Sequence, residues 1–304
     1  MISENELKDL IGKVLQEIGT NEGQQAEVVA KVASAMASQP VANSVVEDVA
    51  DADLPDITAV DMSDYFAVKG AENEAEYRKL KKNTPARLGI GRAGPRYTTE
   101  SMLRFRADHA VAIDAVFNEV PQEFVDEHGL VSVQTRVDDK DMYVTRPDLG
   151  RLLNDASVDV IKSSCKKNPD VQIVVADGLS SSAITANLRN ILPALKQGLE
   201  GYGYSVGDTI FVKFGRVGSM DHITEITGAK ATVMLVGERP GLATGESMGC
   251  YMTWEGRVAM PEAGRTVISN IHRRGTPAAE AGAHIANIVK KMFENKCSGV
   301  DLKL

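Results

Sequence analysis

Potential chemistry in this sequence is concentrated in short polar loops that follow apolar runs. Gly237-Glu238-Arg239-Pro240-Gly241-Leu242 sets a carboxylate between glycines with rigid Pro240 behind it. Glu238 could accept hydrogen bonds from amide or hydroxyl donors, and Arg239 could anchor it or contact a phosphate. Gly215-Arg216-Val217-Gly218 would let main chain approach a ligand closely. Between Arg87 and Arg96, Gly89, Gly91 and Gly94 spell G-x-G-x-x-G by letter. No strand precedes that run, and Pro95 stands where a helix would open. It reads instead as a tight loop presenting Arg87, Arg92 and Arg96 to a carboxylate, a phosphate or a partner chain. Asp108-His109 could be a base beside its orienting carboxylate. Neighbours on a helix point about 100° apart, however, so His109 reads as a surface or interface residue. His222, next to Asp221, and His272 read as hydrogen-bonding or interface residues rather than metal ligands.

Several chemistries lack their signatures. The sequence has no G-x-S-x-G, no P-loop and no H-E-x-x-H. Its five histidines are scattered. Cys165, Cys250 and Cys297 form neither a disulfide framework nor a zinc-ligand spacing, as expected for reduced thiols. No catalytic residue and no metal site is assigned. The residues describe a ligand-binding domain with an amide-seeking rim, which suggests a cofactor-binding or structural subunit that works with another chain.

The elements that must position these loops are apolar, strand-like runs: Val171–Ala176, Asp208–Phe214, Ala231–Val236 and Thr266–Ser269. Helix-like stretches follow at Ser180–Leu199, interrupted or kinked near Pro193, at Met220–Thr227 and at Ala278–Lys296. Alternating strands and helices predict an α/β fold with a mostly parallel, Rossmann-like sheet over residues 156–304. The C-terminal ends of its strands would then share one ligand-binding edge. Residues 85–155 read as a small, largely helical domain. Its first helix carries Met102, Leu103, Phe105, Ala110, Ile113, Ala115, Val116 and Phe117 as an apolar face, and Val131–Arg136 is extended.

Ahead of that domain, residues 1–19 repeat Leu7, Leu10, Ile11, Val14, Leu15 and Ile18 at helical spacing. This amphipathic helix is either a docking element for another protein or a first helix packed on its own domain. Residues 20–84 form an acidic tether or arm with a short Ala-rich helix at Gln24–Met36 and a basic cluster at Arg78–Lys82. With 304 residues, about two folded domains are expected. The formal net charge of −8 argues against a general nucleic-acid binder, and no run of 18 apolar residues suggests a membrane span.

Six stretches, LGIGRAGPRY, LRFRADHAVAIDAVFNEV, VVADGLSSSAI, KFGRVGSMDHI, VGERPGL and ISNIHRRGTP, resemble the small (light) subunit of ethanolamine ammonia-lyase. The resemblance runs in register over residues 85–304 and more loosely over the N-terminal helix. It implies an adenosylcobalamin-dependent radical lyase that converts ethanolamine to acetaldehyde and ammonia. The large subunit would hold the substrate. The small subunit would contact the cobalamin and stabilise a hetero-oligomer of six copies of each chain. Carried over residue by residue, the cobalamin contacts are Val217, Glu238 and Val267. The last stands where a relative has cysteine, so only a main-chain or packing role survives there. The motif D-x-H-x-x-G is absent, in keeping with a cofactor that retains its own base on cobalt. By the same resemblance, residues 1–19 would direct the enzyme to the shell proteins of a bacterial microcompartment. Two other readings stand beside this one, a non-catalytic scaffold subunit and a stand-alone nucleotide-dependent α/β enzyme.

Overall fold

The computed structural model describes residues 56–303. The expected helices at 1–19 and 24–36 lie outside the described residues. In chain order the described residues form helix α1 (Glu74–Lys82), strands β1 (Arg92–Ala93) and β2 (Arg96–Tyr97), helices α2 (Thr99–Phe117) and α3 (Gln122–Glu127), and strand β3 (Val131–Gln134). Helices α4 (Lys140–Thr145) and α5 (Asp155–Ser164) follow, then β4 (Val171–Ala176), α6 (Ser181–Gly201), β5 (Ile210–Lys213) and α7 (Ser219–Thr227). Strands β6 (Ala231–Gly237), β7 (Met248–Trp254) and β8 (Thr266–Ile271) precede the last helix, α8 (Ala278–Asn295).

The fold is α/β around a six-stranded mixed sheet of order β3-β5-β4-β6-β7-β8. Three of its five strand pairings are parallel, so the expected mostly parallel sheet holds in part and is interrupted by an antiparallel return. The first four strands pair in parallel, whereas β6–β7 and β7–β8 are antiparallel. The physical reason is the short connection 238–247. It holds no helix to carry the chain back across the sheet, so the next strand must return alongside β6. Strand β3 lies in the segment read as a small helical domain, yet it forms one edge of this sheet by pairing with β5.

Strand alternation sorts the core into two layers. Val171, Ile173, Val175, Ala231, Val233 and Leu235 face α6 and α8. Val174, Ala176, Ile210, Val212, Met234 and Val236 face α5 and α7. Strands β4 and β6 are buried along their whole length, which explains their unbroken apolar runs. Helix α6 runs through Pro193 without interruption. It crosses α8 closely at Gly282, where a Cβ would come within 2.7 Å of the Ile191 carbonyl oxygen. The connection from β4 to β5 passes over one face through α6, and that from β5 to β6 over the other through α7. The strand order therefore reverses between β4 and β6. Such a switch point is where open α/β sheets bind ligands.

Helix α2 has turned its apolar side outward. Its N-cap Thr98 accepts from the Ser101 amide, and the helix packs through Ser101 and Ala115. Met102, Leu103, Ile113 and Phe117 are 42–49% exposed and line up at helical spacing. The amphipathic pattern identifies the apolar side of this helix, but the described residues leave that side uncovered.

One buried ion pair ties the helical layer to the edge of the sheet. Arg265, just before β8, donates to Asp221 of α7 and to Glu262. Asp221 and Arg265 side chains are each only 2% exposed. Burial pushes the Asp221 carboxyl up to about 6, against the pull of the guanidinium. Removing one partner would strand the other charge. Arg265→Met should therefore lower unfolding stability by about 3–5 kcal/mol in urea denaturation, and adding Asp221→Leu should recover part of that loss.

Candidate functional site

Asp177 joins the exits of β4 and β5. Its side chain is 1% exposed and accepts from the Phe214 amide at 3.0 Å, the Gly215 amide at 3.1 Å and the Gly178 amide at 2.9 Å. The Lys140 ammonium stands 3.5 Å away and is itself buried. Burial pushes this carboxyl upward, opposed by Lys140 and by the amides. Every neighbour is an N–H donor, so the carboxylate is the form that satisfies them all. Next to it, the β4 and β6 exits meet main chain to main chain, with the Leu179 amide donating to the Gly237 carbonyl at 3.0 Å. Ser180 caps α6 by accepting from the Ala183 amide, and its hydroxyl donates to the Gly245 carbonyl. Asn187 donates to the Glu246 carbonyl at 2.8 Å. The loop 238–247 thus covers the N-terminus of α6, where a nucleotide phosphate would otherwise sit. This arrangement disfavours the nucleotide-dependent reading.

Glu238 leaves β6 half-buried. Its Oε2 accepts the Ser247 hydroxyl at 2.6 Å and, at 3.4 Å, the Asn270 amide. Asn270 holds a left-handed backbone at φ +60° near the end of β8. One carboxylate oxygen thereby ties together the ends of β6 and β8 and the start of β7. The other, Oε1, lies over Gly249, where an added Cβ would come within 3.0 Å. Among the described residues Oε1 takes no hydrogen bond, and it is not sealed from solvent. Beside it stands Tyr251. Burial pushes that phenol upward and the Glu238 charge adds to the effect.

Val267 is 46% exposed and pairs across the sheet with Tyr251, which pairs in turn with Met234. It therefore sits about 10 Å back from the strand exits, given ~3.3 Å per residue. The ligand-binding edge expected at the strand exits therefore does not include Val267. Alternation puts Tyr251, Val267 and Ser269 on the α7 side of the sheet. There the outermost strand carries exposed residues rather than a packed layer. Glu238 and Val267 thus lie apart on the sheet, with half-buried Tyr251 between them, rather than on a shared rim.

Val217 follows β5 and packs half-buried against the α5–α7 layer. Its loop is held from beneath. Arg216 donates to the Tyr143 carbonyl at 2.6 Å and stacks on that ring, while the Tyr143 hydroxyl donates to the Gly215 carbonyl at 3.2 Å. Arg216 is therefore structural, and Val217 is the residue this loop presents. Strands β5 and β8 stand four positions apart, about 19 Å at ~4.8 Å per strand, so a ligand touching all three candidates must be broad.

The remaining candidates resolve into structural roles. Gly94, at φ +63°, opens the turn between β1 and β2, so the glycine-rich letters form a small hairpin. Arg87 donates to Asp108 and to the Leu242 carbonyl, pinning the loop that follows Glu238. Arg104 also engages Asp108 and reaches the carbonyls of Ile57, Thr58 and Val60. Asp108 thus serves two arginines and does not orient His109, which is exposed. His222 accepts from the Leu153 amide at 3.1 Å, and His272 accepts from the Arg274 amide at 3.2 Å. Sequence reasoning missed Ser247, Gly249 and Tyr251. Glycine within a strand commonly marks a close approach, and Gly249 was that signal.

The model of the family described as ethanolamine ammonia-lyase light chain (EutC) matches residues 74–303. Proteins named ethanolamine ammonia-lyase small subunit are similar along the full length. The one from Clostridium tetani is 54% identical over 304 residues, covering all of both chains. That from Fusobacterium nucleatum is 52% identical over 307 residues, again covering both completely. The Listeria innocua protein is 50% identical over 302 residues, 99% of this chain and all of its own.

An amide cannot accept on both atoms, so Asp177→Asn must leave at least one buried N–H unpaired and Lys140 without its counter-charge. It should cost about 3 kcal/mol of stability by thermal or urea unfolding.

Proposed function

The chain belongs to the ethanolamine ammonia-lyase light-chain family, and from that premise we propose that it binds an adenosylcobalamin cofactor against the large subunit of the same enzyme. Such a cofactor supplies the radical chemistry when bound. This chain would hold it by a rim loop, a carboxylate and an open strip of sheet. The observation that carries the reading is Glu238, with one oxygen restrained and the other, over Gly249, taking no hydrogen bond among the described residues. A ligand fringed with amides and hydroxyls provides the donors such an oxygen needs. Val217 and Val267 would give packing contacts, and a macrocycle with a nucleotide tail has the breadth that their separation demands. Val267 has no sulfur to offer, so its part is limited to packing and main chain.

No residue of this chain is assigned to bond cleavage. The candidate loops bring together acceptors and apolar surface, without a nucleophile paired to a base. The chemistry on ethanolamine is placed in the large subunit, and this chain positions the cofactor and excludes water from it. The exposed stripe on α2 supports a protein partner, since an aligned apolar helix face is a common mark of an interface. The proposed assembly has six copies of each chain.

The test is co-expression with a large subunit, followed by assays of ammonia release and cobalamin binding. Both chains and adenosylcobalamin should be required for activity, and this chain alone should be inactive. Glu238→Ala should leave the complex assembled and weaken cobalamin binding by about tenfold, the scale of one hydrogen bond to a charged acceptor. Unchanged affinity in an intact complex would favour the scaffold reading instead.

We propose further that residues 1–19 direct the enzyme to microcompartment shell proteins, on the strength of their amphipathic spacing. Deleting them should abolish co-sedimentation with shells and spare ammonia release. Shell association that survives the deletion would remove this role.

A further inference from the structure

We infer that Ser247 is a positioning residue for Glu238, and that the pair selects neutral hydrogen-bond donors such as primary amides over anions. This rests on the reading that Glu238 faces the cobalamin. Ser247 is 8% exposed, and its hydroxyl donates to Oε2 at 2.6 Å. The Glu238 amide donates back to the Ser247 carbonyl at 2.9 Å, so the two residues are joined through both main chain and side chain. Among the described residues the only other donor to that oxygen is the Asn270 amide at 3.4 Å, too long to hold a carboxylate by itself. A glutamate with several free torsions would otherwise swing into water. The serine fixes one oxygen, and the missing side chain at Gly249 leaves room for the other to lie over the sheet.

The selectivity follows from charge. Oε1 can only accept while Glu238 is ionised, and an approaching phosphate or carboxylate would meet like charge on it. A primary amide brings a donor and no net charge. Fixing the acceptor in advance lowers the ordering cost at binding, which is the gain expected from preorganisation.

The test uses the complex with the large subunit and measures adenosylcobalamin affinity by the change in its visible spectrum. Assembly is checked by gel filtration and stability by thermal melting. Ser247→Ala should weaken binding about threefold to tenfold, and Ser247→Thr, which keeps the hydroxyl, should restore most of it. On a Glu238→Ala background, Ser247→Ala should have no further effect. An equal loss in both backgrounds would show that Ser247 acts on the fold alone and would overturn the inference. If Glu238→Ala weakens binding and Ser247→Ala does not, the positioning role fails while the cofactor reading stands. If Glu238→Ala itself has no effect, the cofactor reading fails and this inference falls with it.

Discussion

The arrangement of the strand exits depends on a single sealed carboxylate. Parallel strands end with main-chain amides that no neighbouring strand can satisfy, and those amides tolerate burial only when something accepts from them. Asp177 accepts from amides on both sides of the β4–β5 junction. With these ends joined, Gly178 can lie against Gly237, so the β6 exit is fixed to the same frame. Ser180 then caps α6 and holds the loop after Glu238. A residue that touches no expected ligand thus sets the position of one that does. Electrostatics alone would make a carboxylate an awkward choice there. What makes it suitable is that every donor around it is an N–H that makes no other hydrogen bond among the described residues.

Much of this was legible from residue pattern, and the exceptions have physical causes. Strands β4 and β6 announced themselves because burial on both faces demands unbroken apolar runs. The place of Glu238 at a strand exit was legible because Gly237 and Pro240 break the apolar run on either side of it. Strand β7 was not legible. Met248-Gly249-Cys250-Tyr251-Met252-Thr253-Trp254 has little β-branching and a glycine near its start, so neither propensity nor alternation marks it. Missing that strand hid the antiparallel return, and with it the register that sets Val267 back from the exits. Ser247 was invisible for the same reason, since its meeting with Glu238 exists only once β7 folds back on β6. Strand β3 is four residues long and pairs with a segment far along the chain, so local pattern could suggest an extended run without naming its partner.

The candidate site differs in kind from the enclosed crevice that a switch point usually forms. Between β4 and β6 the crevice is filled by main chain and covered by the loop 238–247. The reachable surface has moved sideways toward β8, where Val267, Ser269 and Asn270 are exposed. Such a surface is half of a site. On the proposed reading it offers a floor and one oriented acceptor, and the opposite wall would come from the large subunit. This division suits a family whose members are named as subunits.

The outward face of α2 has a consequence for the cell. Until something covers Met102, Leu103, Ile113 and Phe117, newly made copies carry an adhesive flank that other unfolded or half-assembled proteins can reach. The ratio in which the two polypeptides are synthesised then becomes a matter of quality control. If the large subunit is what covers it, surplus copies of this one keep that flank open, and pressure to match supply between the two genes can arise from one helix surface.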